Sequence, residues 1–492
     1  MMQSNWIILP VLFPLFGAIL NFFMPKRVKA QKLVAATALT ATLLYSIYLL
    51  SYTRTGAIAV FSASDWPAPF GIVFACDLLS AIMLVASGIV ALAVLFYSFW
   101  SIDQGREQHN YYAFYLLMLM GVNGSFLTGD IFNLYVFFEI LLISSYILMA
   151  LGGEKEQLRE SFKYMVINII ASALFLVGVA LLYAVTGTLN MADIAVKVQA
   201  ASDQGLLTVI AMIFMIVFGI KAAIFPLYFW LPQSYPTTPP AVNAAFGGLL
   251  AKVGVYVLFR IFTLIFINDI GYTHSILIFI GGVTMLLGVL GTVGQMDMRR
   301  ILSFHIISQI GYMILGLGIF TPLALAGGIY FIVHNIIVKT ALFLTAGVTD
   351  QLTGTTDLHK LGGLLKAYPA LGLTFFLAGV SLAGAPPLSG FFGKFVLIVA
   401  GLEAQHYLVI AVAIGTSLLT LFSMMKIFRY AFWGQPREYQ PQKYGRFLAP
   451  AAILVVLSLA MGIGAEWMLD VVSAAATQLL RPELYITAVL GA

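Results

Sequence analysis

Five ionisable side chains lie deep inside stretches that are otherwise apolar: Glu139, Lys221, Lys252, Lys339 and Lys394. A charge at the middle of a bilayer costs roughly 2.5–3.5 kcal/mol on insertion scales, so such groups face a bundle interior or a wet cavity and serve ion or proton movement. Carboxylates and amines strung through one protein can hand a proton along in steps. Two histidines belong with them. His334 shares the eleventh apolar stretch with Asn335, Lys339 and Thr340, and His305 heads a stripe with Ser308, Gln309 and Tyr312. That stripe falls at i, i+3, i+4 and i+7, one face of a helix. Imidazole titrates near neutrality, which suits a relay. The stripe also reads as interhelical hydrogen-bonding glue, worth about 0.6 kcal/mol per contact.

Plainer readings stand beside the others too. Glu139 is either a protonated carboxyl held inside the bundle or one partner of a buried lysine, and Lys221 is the best-placed lysine. Lys252 sits among Gly247, Gly248, Ala251 and Gly254, small residues that admit a close helix or water. Apolar residues flank it too deeply on both sides for its amine to snorkel to an interface. On an ideal helix His334 and Lys339 point about 140° apart. They act in succession only through a local distortion or a shared cavity.

The elements that carry these groups follow from composition. The 492 residues are 61% hydrophobic and 9% charged, against about 25% charged in a soluble chain. No water-soluble fold hides that much apolar surface, so an integral membrane protein is expected. Fourteen spans emerge, near 5–24, 31–52, 72–101, 111–129, 131–152, 161–186, 206–231, 239–267, 274–296, 301–320, 323–349, 369–401, 406–433 and 447–471. The third and twelfth are long enough to be tilted or broken. Loops after odd-numbered spans carry sixteen Lys and Arg, those after even-numbered spans only Arg54 and Lys197. This positive-inside asymmetry places both termini outside the cytoplasm. It also explains the net charge of +5 without a nucleic-acid partner.

Cys76 is alone, which excludes an internal disulfide or a thiolate metal cluster. Paired-histidine metal spacing, a phosphate-binding loop and a dinucleotide glycine fingerprint are all missing. No cofactor is expected, and a carrier rather than an enzyme. The start, Met1-Met2-Gln3-Ser4-Asn5, lacks a basic n-region, so the first span is expected to be retained.

Two spans carry breakers. The seventh and the loop after it hold Pro226, Pro232, Pro236, Pro239 and Pro240; the twelfth holds Gly384-Ala385-Pro386-Pro387-Leu388-Ser389-Gly390. Proline removes a backbone donor and clashes with the preceding turn, and irregular backbone at membrane depth persists only against protein or water. A lysine accompanies each break, Lys221 and Lys394. The chain also echoes itself: Asn168-Ile169-Ile170 recurs as Asn335-Ile336-Ile337, and Gly187-Thr188 as Gly354-Thr355 at the same offset. Spans 4–8 and 9–13 therefore read as related units, inverted because each has an odd number of helices. The expected architecture is an all-α polytopic membrane protein of about 14 helices. Residues 1–104 hold spans 1–3, 105–270 the first repeat, 271–435 the second, and 436–492 the last span and tail.

Four segments carry a resemblance: the Glu139 helix; Gly219-Ile220-Lys221-Ala222-Ala223-Ile224-Phe225-Pro226-Leu227 running on to Trp230-Leu231-Pro232; Ser308-Gln309-Ile310-Gly311-Tyr312; and Pro387-Leu388-Ser389-Gly390-Phe391-Phe392-Gly393-Lys394. They resemble the antiporter-like subunits of respiratory complex I and of the Mrp-type sodium/proton antiporters, over roughly residues 70–435. The Mrp branch is the nearer. Asp65-Trp66-Pro67-Ala68-Pro69-Phe70-Gly71-Ile72 looks like an external loop of one of its subunits, and Lys394 stands where some complex I subunits have glutamate.

The resemblance implies inverted repeats with broken seventh and twelfth helices. It also implies a proton path through Glu139, Lys221, Lys252, His334, Lys339 and Lys394, with His305, Ser308, Gln309 and Tyr312 as further path or water-lining residues. It further implies partners: the other subunits of a roughly seven-subunit Mrp complex in the bacterial cell membrane, with sodium handled by the assembly. The alternatives are an electron-driven pump of the complex I or membrane-hydrogenase type, a scaffold that transmits conformational change, and a carrier working alone.

Overall fold

The computed structural model describes residues 5–491 apart from Ser202, Pro436, Glu438, Gln440, Pro441 and Gln442; residues 1–4, on which the reading of the N-terminus partly rests, lie outside the described set. The chain is a bundle of helices: α1 Leu9–Phe22, α2 Val28–Thr53, α3 Leu78–Ser101, α4 Tyr111–Leu127, α5 Ile131–Ala150, α6 Lys155–Thr186 and α7 Gln204–Ala222. These are followed by α8 Pro240–Leu264, α9 Ile270–Val293, α10 Met298–Ile319, α11 Pro322–Thr353, α12a Pro369–Ala383, α12b Ser389–Glu403, α13 Tyr407–Trp433 and α14 Gly445–Ile463. Among the described residues, eleven helices are long and apolar enough to cross a membrane, and shorter apolar helices at Trp6–Phe22, Tyr111–Leu127 and Pro369–Ala383 complete the fourteen spans. The protein is a multi-pass membrane protein.

Polar caps set where several helices begin. Asp77, Asp130, Asp203, Asp269, Asp297 and Thr321 each accept a backbone N–H three residues on, satisfying a donor the first turn leaves free. The helices bearing Lys252 and Lys339, α8 and α11, are enclosed along their apolar length with only their ends reaching the surface, whereas α2 turns most of its surface outward. Lys252 and Lys339 are therefore carried on the innermost elements.

Three details differ from the sequence expectations. The third span does not begin at residue 72. Val73–Cys76 is a strand, β2, antiparallel to β1, Ala59–Ser62, in the register Ala59↔Cys76 to Ser62↔Val73. A short apolar run reads alike as strand or helix, and Asp77 ends one and caps the other. The helix beyond is then of ordinary span length and unbroken. The fourteenth span ends at Ile463 rather than 471, where Gly464 separates it from α15, Ala465–Leu479, and α16, Pro482–Leu490 follows.

Both expected breaks are present. Helix α7 stops at Ala222, and Ala223 adopts the left-handed conformation at φ 57°. Backbone and side chains freed there find partners: Phe225 N donates to Thr284 Oγ1 at 3.0 Å, and Trp230 Nε1 to Ile220 O at 3.1 Å. Between α12a and α12b the chain turns at Gly384, φ 94°, which a side chain rarely adopts. A π-helical turn at Phe246–Leu250 interrupts α8 as well. Two backbone features recur along the chain: Asp130 bridges Asn190 and Asp297 bridges Asp357, while Gly187 and Gly354, at φ 66° and 73°, end α6 and α11.

Candidate functional site

At the first break, three helices bring together a carboxylate, a hydroxyl and an amine. Ser172 of α6 donates to the Glu139 carboxylate of α5, and Lys221, in the last turn of α7, donates to Ser172 Oγ at 3.4 Å. The Lys221 ammonium also stands 4.8 Å from the centre of the Phe138 ring, a favourable cation–π position. Glu139 and Lys221 are thus joined, but not as the direct ion pair their sequence positions suggest. Ser172 stands between them. Gly254 lets α8 come up against this site, since a Cβ there would lie 2.8 Å from Ala222 N.

Lys252 follows the π turn and donates to Gly247 O within its own helix. A π turn displaces the usual carbonyl partners, and here the ammonium takes one of them. The glycines flanking Lys252 serve close packing: a Cβ on Gly248 would fall 2.2 Å from Thr340 Oγ1, and Phe343 covers Gly247.

Helix α11 is regular from Pro322 to Thr353, so His334 and Lys339 diverge as ideal geometry requires. Lys339 Nζ donates to Leu302 O of α10 at 3.2 Å, whereas His334 Nδ1 meets Ser389 Oγ at 2.8 Å, at the second break. Ser389 belongs to a hydroxyl triad with Ser381 and Ser458, linked at 2.8–3.5 Å, that ties α12a, α12b and α14 together. His334 Nε2 and Asn335 Oδ1 are buried without a partner.

Lys394 donates to Leu382 O and Ala383 O, both at 3.0 Å, so its ammonium closes the carbonyl end of α12a, where a cation is favoured. The rings of Tyr312 and Phe331 flank it at 4.9 and 5.9 Å. On α10, His305 Nε2 meets Ser423 Oγ of α13 at 2.5 Å, Gln309 Nε2 donates to Ser308 Oγ at 3.1 Å, and Tyr312 reaches Ala413 O and Ser417 Oγ. The structure therefore groups Glu139 with Lys221, places Lys252 and Lys339 on adjoining central helices, and sets His334 and Lys394 at the second break.

Sequence reasoning missed several buried charges, among them Asp77, Glu107, Asp130, Glu160 and Arg260. Arg260 of α8 forms a bidentate pair with Asp77 at 2.6 and 2.8 Å. The pair is enclosed by Ser80 and Tyr256, and the Tyr485 ring of α16 lies 5.2 Å from the guanidinium. Its signal was present: an arginine inside an apolar span, with an aspartate opening another. Ser172 and Ser458 had no such signal, because serines are common in membrane helices; Ser389 lay inside the second breaker segment without being singled out.

Residues 128–420 match the family described as NADH:quinone oxidoreductase/Mrp antiporter, TM, and the chain belongs to this family. It is 52% identical over 491 residues to a protein of Alkalihalophilus pseudofirmus named as the D component of a Na(+)/H(+) antiporter, covering 99% of this chain and 100% of that one. Its structure is similar to a chain of the Mrp complex from Dietzia sp. DQ12-45-1b, with TM-score 0.95, 33% identity and full coverage of both chains. It is also similar to a chain of the membrane-bound sulfane sulfur reductase, an archaeal respiratory membrane complex, with TM-score 0.91, 25% identity and 99% coverage of each.

Proposed function

We propose that this chain is the proton-translocating D component of a multisubunit Na+/H+ antiporter of the Mrp type, a carrier rather than an enzyme. Identity of 52% along the whole length to the corresponding component of an antiporter, against 25% to a chain of a respiratory reductase, supports this over an electron-driven pump. Its partners are then the A, B, C, E, F and G components, in a bacterial cell membrane. Both termini lie on the outer side, by the sixteen-to-two distribution of basic residues. The bridges Asp130–Asn190 and Asp297–Asp357 and the two glycine-ended helices support reading α4–α8 and α9–α13 as one unit used twice, in inverted orientation.

The observation that carries the reading is the Glu139–Ser172–Lys221 chain at a helix break. An ammonium away from water is held charged by a nearby carboxylate. Moving α7 relative to α5 and α6 removes that support and favours release of the proton toward Lys252. From there Lys339 and then Lys394 take it up, with His334 serving the second break through Ser389. Buried atoms without protein partners, at Asn243, Gln309, His334 and Asn335, are the places where ordered water would connect the groups. Cation entry elsewhere in the complex would drive the movement electrostatically. Glu139→Gln is expected to abolish coupled antiport in vesicles while the complex still assembles; full exchange by that variant would end this reading.

A further inference from the structure

On the side of the basic loops, where α6 and the segment following α7 meet α10, lies a cavity of about 460 Å³. The first turns of α6 bring Glu156, Arg159 and Glu160 to it, and the start of α10 brings Arg300 and Phe304. Phe229, between the first break and α8, lines it as well and is 60% exposed. Both helices begin here, so the cavity lies at the edge of the bilayer, where lipid headgroups sit.

The charges around it are of both signs, and one is incompletely satisfied. Arg159 Nε and Nη2, at 2.9 and 2.8 Å, and Lys163 Nζ, at 2.9 Å, all meet the same oxygen of Glu160, Oε1. The other oxygen, Oε2, has no partner among the described residues, although Glu160 is only 2% exposed. A carboxylate withdrawn from water is costly unless donors reach it, so the open oxygen calls for a further N–H or O–H. The side chains of Glu156, Arg159 and Arg300 are exposed around it.

Three kinds of ligand meet this arrangement differently. A bare metal cation would suit Glu160 Oε2 but is repelled by Arg159 and Arg300. An anion, free or on a lipid, would suit the two guanidiniums but is repelled by Glu156 and Glu160. A zwitterionic headgroup with a primary ammonium answers both signs. Its ammonium donates to Glu160 Oε2, and its phosphate accepts from Arg159 and Arg300, whose planar forks match phosphate oxygens. Its acyl chains then leave past the rings of Phe229 and Phe304. Basic pockets between spans on this side of a membrane protein take lipid headgroups, and here the acidic residues narrow the choice among them.

We propose that this cavity binds a phospholipid with a primary-amine headgroup, of the phosphatidylethanolamine class, and that the bound lipid ties α6 to α10. The site shares no residue with the Glu139–Ser172–Lys221 chain, so its test stands apart from the proton-carrying reading.

The whole complex, reconstituted in bilayers, is exposed in turn to photoactivatable phospholipids with identical acyl chains and ethanolamine, choline or glycerol heads. Mass spectrometry reads the label on the peptides holding Phe229 and Phe304, relative to that on the peptide holding Leu418, an exposed residue of α13. The ethanolamine lipid should label the cavity ~10-fold more than either other lipid, since choline has no N–H for Glu160 and glycerol brings no cation. Glu160→Gln should erase the preference for ethanolamine over choline. Arg300→Gln changes an exposed side chain and leaves the Glu160 bonds in place, so it should lower ethanolamine labelling several-fold with the label at Leu418 unchanged. Equal labelling by the three heads would mean ordinary boundary lipid, and a glycerol preference an anion site. No label from any of them would mean a face covered by another chain. Each of these overturns the proposal, as does an ethanolamine preference that survives Arg300→Gln undiminished.

Discussion

Ser172 is the atom-level link on which the first break depends, because Glu139 and Lys221 meet only through its hydroxyl. Hydrogen bonds to charged groups contribute about 1.5–3 kcal/mol, and each 1.4 kcal/mol is tenfold in an equilibrium. Ser172→Ala is therefore expected to lower exchange roughly tenfold or more at unchanged assembly, with Ser172→Thr retaining most of it; transport assays in vesicles read both. The carboxylate and the lysines were legible in the sequence because charge in an apolar span is rare. The serine was not, since nothing distinguishes it from serines that merely bond their own helix. Asp130, outside the spans, makes a different case. Burial pushes its carboxyl up to about 6, against backbone hydrogen bonds from Asn133 and Phe132 that lower it. A folded value above the unfolded one means that stability is highest in acid and falls as pH rises from about 4 through 6, by up to roughly 3 kcal/mol. Asn caps a helix as well as Asp does. Asp130→Asn should therefore raise the thermal midpoint of the purified complex at pH 8, with the difference fading toward pH 4.

Breaks, turns and strands follow a second kind of information. The interruptions of α7 and α12 were readable because proline and glycine act on their own backbone, whatever surrounds them. The strand at Val73–Cys76 was not, since its four buried residues carry no alternation, nor was the π turn before Lys252, which two glycines permit without specifying. What the second break requires of its glycines is visible only in three dimensions. A Cβ on Gly390 would fall 1.9 Å from Ser381 O and 2.9 Å from the His334 ring, and one on Gly462 2.2 Å from Pro387 O. Contacts that short force the two half-helices apart, displacing Ser389 from His334 and the carbonyls from Lys394. Gly390→Ala is expected to abolish exchange or assembly. Gly415→Ala, with nothing within 4 Å of its added carbon, should leave both intact. Vesicle exchange and the yield of purified complex separate the two variants, and equal behaviour would show that the break tolerates opening.

At the scale of the molecule, the fourteen spans were legible because each is a property of about twenty consecutive residues and the loop charges alternate independently. Which surfaces meet other chains was not, because an apolar residue facing lipid and one facing a partner look the same in a sequence. One outward face resolves the ambiguity. Phe132, Val136 and Ile143 of α5 are exposed, and Glu139, at helical spacing between them, is only half-buried. A carboxylate at that depth open to hydrocarbon is costly, so another chain is expected to cover this face in the assembly. A hydrophobic carbodiimide, which modifies carboxyls reached from the lipid, provides the measurement. It should label Glu139 rapidly in the isolated chain and at least ~10-fold more slowly in the assembled complex, as mass spectrometry of the peptide would read. Exchange by the isolated chain in liposomes should be correspondingly absent. Equal labelling in the two preparations would mean that Glu139 faces lipid even in the assembly. The ion path would then have to be complete within this single chain.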